Sequence, residues 1–246
     1  MSSYYNEICK NDSEKYTNIE TGDLILMSSI TTFAIVVKFS LANEFNHVSV
    51  AVWIDPQYLP NIVVNRNTGI LTLIEFNGDD YINVLTGMVH HGNRLVSLSE
   101  MDSKYKKLSV LKLQSKYKTH SFYKNVESFI SEHCNYVVSM DHYTPILKVL
   151  GYETTNLESR VPKFCSELSA KFYGDLIQDS NIKEYFKFLP TTFLQHKYSH
   201  IFESQLLNIK DLKHSGMDFW YSPAPICIFI FILILIFILI SKKYKA

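Results

Sequence analysis

Apolar and polar residues alternate along several short stretches of this chain. Each such stretch predicts a β-strand, because successive strand side chains point to opposite faces. The clearest is "HVSVAVWI" (47–54). "GDLILM" (22–27), bounded by glycine, and "GILTLIEF" (69–76), which follows the turn-like "NRNTG", predict two more. "RLVSLS" (94–99) and "LSVLKLQ" (108–114) predict a fourth and a fifth. Elsewhere the period is helical. "TTFAIVVKFSLA" (31–42) carries apolar residues at helical intervals with Thr31 or Thr32 as cap, and "HSFYKNVESFISEHC" (120–134) sets Phe122, Val126, Phe129 and Ile130 on one face. In "KFCSELSAKFY" (163–173), Phe164, Leu168 and Phe172 stand four apart, so a helix is expected to open near Cys165. "SMDHYTPILKVLGY" (139–152) reads as a loop leading into a helix, and Thr191 or Thr192 caps a further helix in "LPTTFLQHKYS" (189–199). Strands gather in the first half and helices frame them, which predicts an α+β domain.

One stretch has no polar face at all. "APICIFIFILILIFILI" runs from Ala224 to Ile240 without a charge and is followed by "SKKYKA". Seventeen residues of helix span about 26 Å, near the hydrocarbon thickness of the thinner ER-type membranes. Trp220 and Tyr221 fall where an interfacial aromatic belt sits, and Lys242, Lys243 and Lys245 can snorkel on the far side. A strand this long and apolar would aggregate in water, so a transmembrane helix is the expected reading. The polar first twenty residues contain no secretory signal. A single-pass C-terminal anchor with the domain on the cytosolic side is therefore expected. The lysines after the span favour the opposite orientation, but Lys210 and Lys213 partly balance them. The expected organisation is a polar extension (1–17), one domain (18–208), a juxtamembrane linker (209–223), the membrane helix (224–240) and a basic tail (241–246).

Composition narrows the function. The 24 basic and 24 acidic residues among 246 cancel, so charge gives no reason to expect nucleic acid as a partner. The cysteines are Cys9, Cys134, Cys165 and Cys227; none forms a C-x-x-C pair, which leaves neither a disulfide framework nor zinc-ribbon spacing. His90 and His91 are adjacent and point to different sides of any regular element, and His133 beside Cys134 has the same difficulty, so no metal site is expected. No phosphate-binding glycine motif is present, and no cofactor is expected.

The candidate chemistry centres on Cys165. A thiol in the first turn of a helix feels the positive end of the helix dipole, which favours thiolate. Glu167 in the same turn and Pro162 just before it suit a helix start. His47 opens its strand after the polar "NEFN", where its ring can stand at the edge of the sheet and act as base toward a thiol. Glu75 is a carboxylate in the apolar run "LTLIEF"; it needs a partner, and the neighbouring strand offers His47.

"TGDLILM", "FNHVSVAVWI", "LTLIEFNGDDYINV" and "KFCSELSAKFYGDL", in that order, resemble the motifs of the permuted NlpC/P60 papain-like amidases. These are the YaeF/YiiX-type cysteine peptidases of bacteria, with relatives in large DNA viruses. The resemblance implies a circularly permuted papain-like fold, with the histidine strand first and the cysteine helix last. It implies Cys165 as nucleophile, His47 as base and Glu75 as the acidic third residue. Asp23 matches the family's Gly-Asp pair, read as a turn or pocket-edge feature. Ser49 and Phe76 depart from the small residues common at their positions, and Phe76 is expected to reshape the pocket.

The expectation is thus a membrane-anchored thiol hydrolase acting on a peptide, amide or lipid ester. Two rivals stand beside it. One is a lipid acyltransferase or phospholipase of the lecithin–retinol-acyltransferase type, whose N-C-E-H-F motif differs from "FCSEL". The other is a non-catalytic membrane-tethered binding protein.

Overall fold

β1 (Leu24–Ser28), β2 (His47–Ile54), β4 (Ile70–Asn83), β5 (Met88–Ser97), β6 (Lys107–Leu113), β7 (Tyr136–Val137) and β8 (Phe202–Asp211) pair in the order β7-β5-β4-β2-β1-β6-β8, with the two-residue β3 (Val64–Asn65) on β2. Every pairing is antiparallel. The computed structural model describes residues 11–29, 38, 43–59, 61–102, 104–134, 136–137, 162, 164–179, 182 and 185–211. The chain divides into two units, 1–211 and 212–246, and only the first contains described residues. The span expected over 224–240, the segment 139–152, Cys9 and Cys227 lie outside them, as does the helix expected over 31–42 apart from Lys38. Among the described residues no helix is long and apolar enough to cross a membrane.

The protein is α+β, an antiparallel sheet with helices beside it. Alternation along the strands gives the sheet two apolar faces. Val48, Val50, Val52, Ile74 and Phe76 join one core with residues of α2 (His120–His133) and α3 (Cys165–Ile177). Ala51, Trp53, Leu71, Leu73 and Val96 join a second core with Tyr16 and Ile19 and with Leu98 and Met101 of α1 (Leu98–Asp102). Both faces are covered, so β2 is buried along its whole length. Asp12 and Tyr16, ahead of position 18, take part in this second layer. Tyr16 is buried, and the Asp12 carboxylate accepts the Leu71 N–H at 2.9 Å.

The elements expected at 47–54, 108–114 and 120–134 form with bounds within a residue or so of the pattern, and Thr119 caps α2 by accepting the Phe122 N–H. Several features differ; the strand expected over 69–76 runs on as β4 to Asn83. The strand expected over 94–99 begins at Met88 and stops at Ser97; Leu98 and Met101, three apart and both buried, instead set the first turn of α1. In the 189–199 stretch, short 3₁₀ turns replace a capped helix, and Thr192 sits three residues inside the turn, accepting the Leu189 N–H at 2.9 Å. β8 has no counterpart in the apolar pattern, because "FESQLLNIKD" lies at the sheet edge on β6 with much of its length toward solvent.

The "GD" motif is structural. Gly22 takes φ +91°, and a Cβ there would stand 2.7 Å from Leu113 Cδ2 and from Phe122 Cζ. Asp23, fully buried, accepts the backbone N–H groups of Glu20 (2.8 Å) and Leu113 (3.0 Å) and pairs with Lys112 (2.6 Å) and Lys118 (2.9 Å). The Tyr173 hydroxyl donates to Gly22 O at 2.8 Å, which ties α3 to the start of β1.

Candidate functional site

The β2–β4 pairing runs from Ile54/Ile70 to Val50/Ile74 and stops there. Ala51 N–H bonds toward β1, to Asp23 O, so by alternation the Val48 N–H points the other way, to the side β4 has left. The Cys165 sulfur fills that role of acceptor: it takes a hydrogen bond from the Val48 backbone. The first residue of α3 therefore meets β2 just beyond the end of the β2–β4 ladder. A helix N-terminus carries unsatisfied N–H groups, and Phe164 at the N-cap supplies no side-chain cap. The positive end of α3 is thus directed at the thiol.

His47 is the first residue of β2 and shares its face with Ser49, Ala51 and Trp53. Its ring hydrogen-bonds to Cys165 on one hand and lies 3.2 Å, Nε2 to Oε2, from Glu75 on the other. Tyr105 stacks on the imidazole with ring centroids 5.8 Å apart and planes 21° from parallel. Ser49 Oγ stands 3.5 Å from His47 Nε2. The structure brings the three residues singled out in the sequence, Cys165, His47 and Glu75, into one hydrogen-bonded chain.

Electrostatics follow from that chain. Burial disfavours a charged imidazole, but the adjacent Cys165 and Glu75 outweigh it and push His47 up to about 10. For Cys165, burial opposes ionisation; the His47 charge, the hydrogen bond from His47 and the Val48 N–H together outweigh it and hold the thiol below its ordinary value. Both shifts favour a thiolate–imidazolium pair. Cys134, by contrast, is buried with nothing to offset desolvation, and its thiol is pushed far up. One thiol is poised for ionisation and the other is inert core.

Two neighbours were not anticipated. Arg94 is paired with Glu75 directly across the β4–β5 ladder, Nη2 to Oε1 at 3.2 Å, and both side chains are 0% exposed. Tyr105 joins α1 to β6 in a segment whose sequence, "SKYKKL", reads only as a polar connection. For Arg94 a signal existed: it is one of three arginines in the chain and stands inside a strand of buried residues. Phe76 packs edge-on against Phe164, the residue before Cys165, with ring centroids 6.5 Å apart. His91 is exposed on β5, and His133 lies against Phe129 with the rings tilted 59° apart, its charged form disfavoured by burial. Among the described residues no group of three His, Cys, Asp or Glu side chains is placed to hold a metal ion.

No family model matches the chain, and no curated protein matches it. Among solved structures, a metalloprotein, yiiX from Escherichia coli O157:H7, is similar at a TM-score of 0.35 and 11% identity over 65% of this chain and 67% of that one. The likeness is weak.

Proposed function

We propose that the domain is a thiol hydrolase of the circularly permuted papain-like type, held at a lipid bilayer by residues 224–240. The observation that carries this reading is the chain Cys165–His47–Glu75, in which a helix-terminal thiol and a strand-initial imidazole are both shifted toward the ion pair. The order of elements supports the permutation, since the histidine strand β2 precedes the cysteine helix α3. The motif resemblance supports the same assignment of roles.

The chemistry runs as follows. Thiolate attacks an amide or ester carbonyl carbon, and the π electrons move to oxygen. In this reading the Cys165 N–H, in the first turn of α3, meets that oxyanion. As the tetrahedral intermediate collapses, the carbon–nitrogen or carbon–oxygen bond breaks and His47 gives its proton to the leaving group. A thioester remains on Cys165. Neutral His47 then takes a proton from water, hydroxide attacks the thioester, and the thiolate leaves. Glu75 holds the ring and balances its positive charge through both steps.

The substrate is an amide, a peptide or a lipid ester. The test uses the full chain in phospholipid vesicles, with amide peptides offered in one arm and fatty-acid release from the vesicles followed in the other. Turnover of amides that falls roughly 10⁴-fold or more in Cys165→Ala is the expected result. Fatty-acid release without amide turnover redirects the reading to lipid acyl chemistry. Turnover equal in wild type and Cys165→Ala contradicts it.

A further inference from the structure

A buried carboxylate next to a buried imidazolium and thiolate must have its own charge balanced, or ionisation of the thiol suffers. Glu75 divides its two oxygens. Oε2 faces His47 at 3.2 Å and Oε1 faces Arg94 Nη2 at 3.2 Å. Arg94 and Glu75 are register partners across β4 and β5, so backbone pairing alone brings them together. The guanidinium is in turn held from behind: its Cζ lies 5.0 Å from the centroid of the Tyr81 ring, and Lys104 Nζ lies 3.7 Å from the same ring. The series Arg94⁺, Glu75⁻, His47⁺, Cys165⁻ alternates in sign and sums to zero. A surface ion pair would be screened and expendable; here Arg94 and Glu75 are both fully buried.

We propose that Arg94 is a positioning residue for the Cys165–His47 pair, acting through Glu75: it fixes one carboxylate oxygen, aims the other at His47, and neutralises the carboxylate so that its negative charge does not oppose formation of the thiolate. Arg94 need touch no substrate. The charged and titratable groups around the pair are Cys165 from α3, Glu75 from β4, Arg94 from β5, Tyr81 at the far end of β4, Lys104 over Tyr81, and Tyr105 stacked on His47. Of these, Arg94 is the cation in direct contact with Glu75 on the side away from the ring.

The assignment rests on reading Cys165, His47 and Glu75 as a working triad, but its test needs no substrate. The rate of alkylation of Cys165 by iodoacetamide is measured against pH on the full chain, with the modified peptide quantified by mass spectrometry. In Arg94→Met the cation beside Glu75 Oε1 is removed, and the carboxylate's field on the sulfur is no longer balanced. The acid limb of the alkylation profile moves upward by roughly one pH unit. Arg94→Lys, which keeps the charge, keeps the limb nearer to wild type. In a Glu75→Gln background the same Arg94→Met change leaves the limb where Glu75→Gln alone puts it, because the group through which Arg94 acts is gone.

A limb that does not move in folded Arg94→Met overturns the proposal. So does a shift that persists undiminished in the Glu75→Gln background, which would mean that Arg94 acts on the thiol by another route. If Arg94→Met does not fold, two other variants decide: a limb in Glu75→Gln/Arg94→Met displaced from that of Glu75→Gln alone, or a limb in Arg94→Lys displaced by a full pH unit, overturns the proposal. A shift of the expected kind in a protein that hydrolyses nothing supports the positioning role while removing the hydrolase reading.

Discussion

His47 carries the site's pH dependence. Its folded value is raised to about 10 from 6.5, so the stability it contributes is fully present below about pH 6.5 and is lost as pH rises through about 10. Cys165 is lowered, so its contribution has the opposite sense: present above its ordinary value and lost as pH falls through the lowered one. In urea titrations, the stability advantage of wild type over His47→Gln should therefore be large near pH 6.5 and should shrink as pH rises from about 6.5 through about 10. An advantage that grows across that range would contradict the charge assignment. Glu75→Gln, which keeps the shape but not the charge, should lower turnover by roughly 10²–10⁴-fold with little change in KM. Cys165, His47 and Glu75 were legible in the sequence because each breaks its local pattern: a thiol at a helix start, an imidazole at a strand start, a carboxylate in an apolar run. Tyr105 breaks no pattern, and its stacking on His47 is a product of tertiary packing alone.

Elements position those residues through a few close approaches. The Tyr173 hydroxyl reaches Gly22 O from the third turn of α3, and Gly22 leaves no room for a side chain between Leu113 and Phe122. Gly22→Ala combines a left-handed φ with overpacking, and a loss of about 1–3 kcal/mol is expected, read as a lower urea midpoint at unchanged slope. Tyr173→Phe should cost about 1 kcal/mol by the same measurement. If Gly22→Ala leaves the midpoint untouched, the turn is not as tightly enclosed as described. The central strands were legible because both faces of the sheet are buried, which makes their sequences apolar at most positions, and β2 is covered from end to end. β8 was not legible, since an edge strand half in solvent has no need of apolar residues on both faces. The first part of β5, "MVHHGN", was missed for a related reason: Met88 and Val89 are exposed in the β4–β5 hairpin, so their pattern reports the hairpin rather than a core.

For the whole molecule, the α+β class followed from the distribution of periods along the chain, and the observed sheet agrees with it. The arrangement of the site did not follow from it. Where the β2–β4 ladder ends, and hence where α3 can bring its thiol to Val48, depends on strand lengths that apolar patterning does not specify. Membrane attachment through residues 224–240 is a separate proposal with its own test. The full chain is expected in the membrane fraction after alkaline carbonate washing, and Leu233→Lys with Leu235→Lys should release it, since each buried lysine costs about 2.5–3.5 kcal/mol at mid-bilayer. Retention of the doubly charged variant in membranes would exclude this segment as the anchor.

Selective alkylation of the folded full chain at about pH 6 tests the central claim most directly, because an ordinary thiol of pKa about 8.5 is almost wholly protonated there. With a limiting amount of iodoacetamide, the label is expected on Cys165 in preference to Cys9, Cys134 and Cys227, and that preference should be lost in His47→Ala. Label spread evenly over the cysteines, or a Cys165 reactivity that His47→Ala leaves unchanged, would contradict the account.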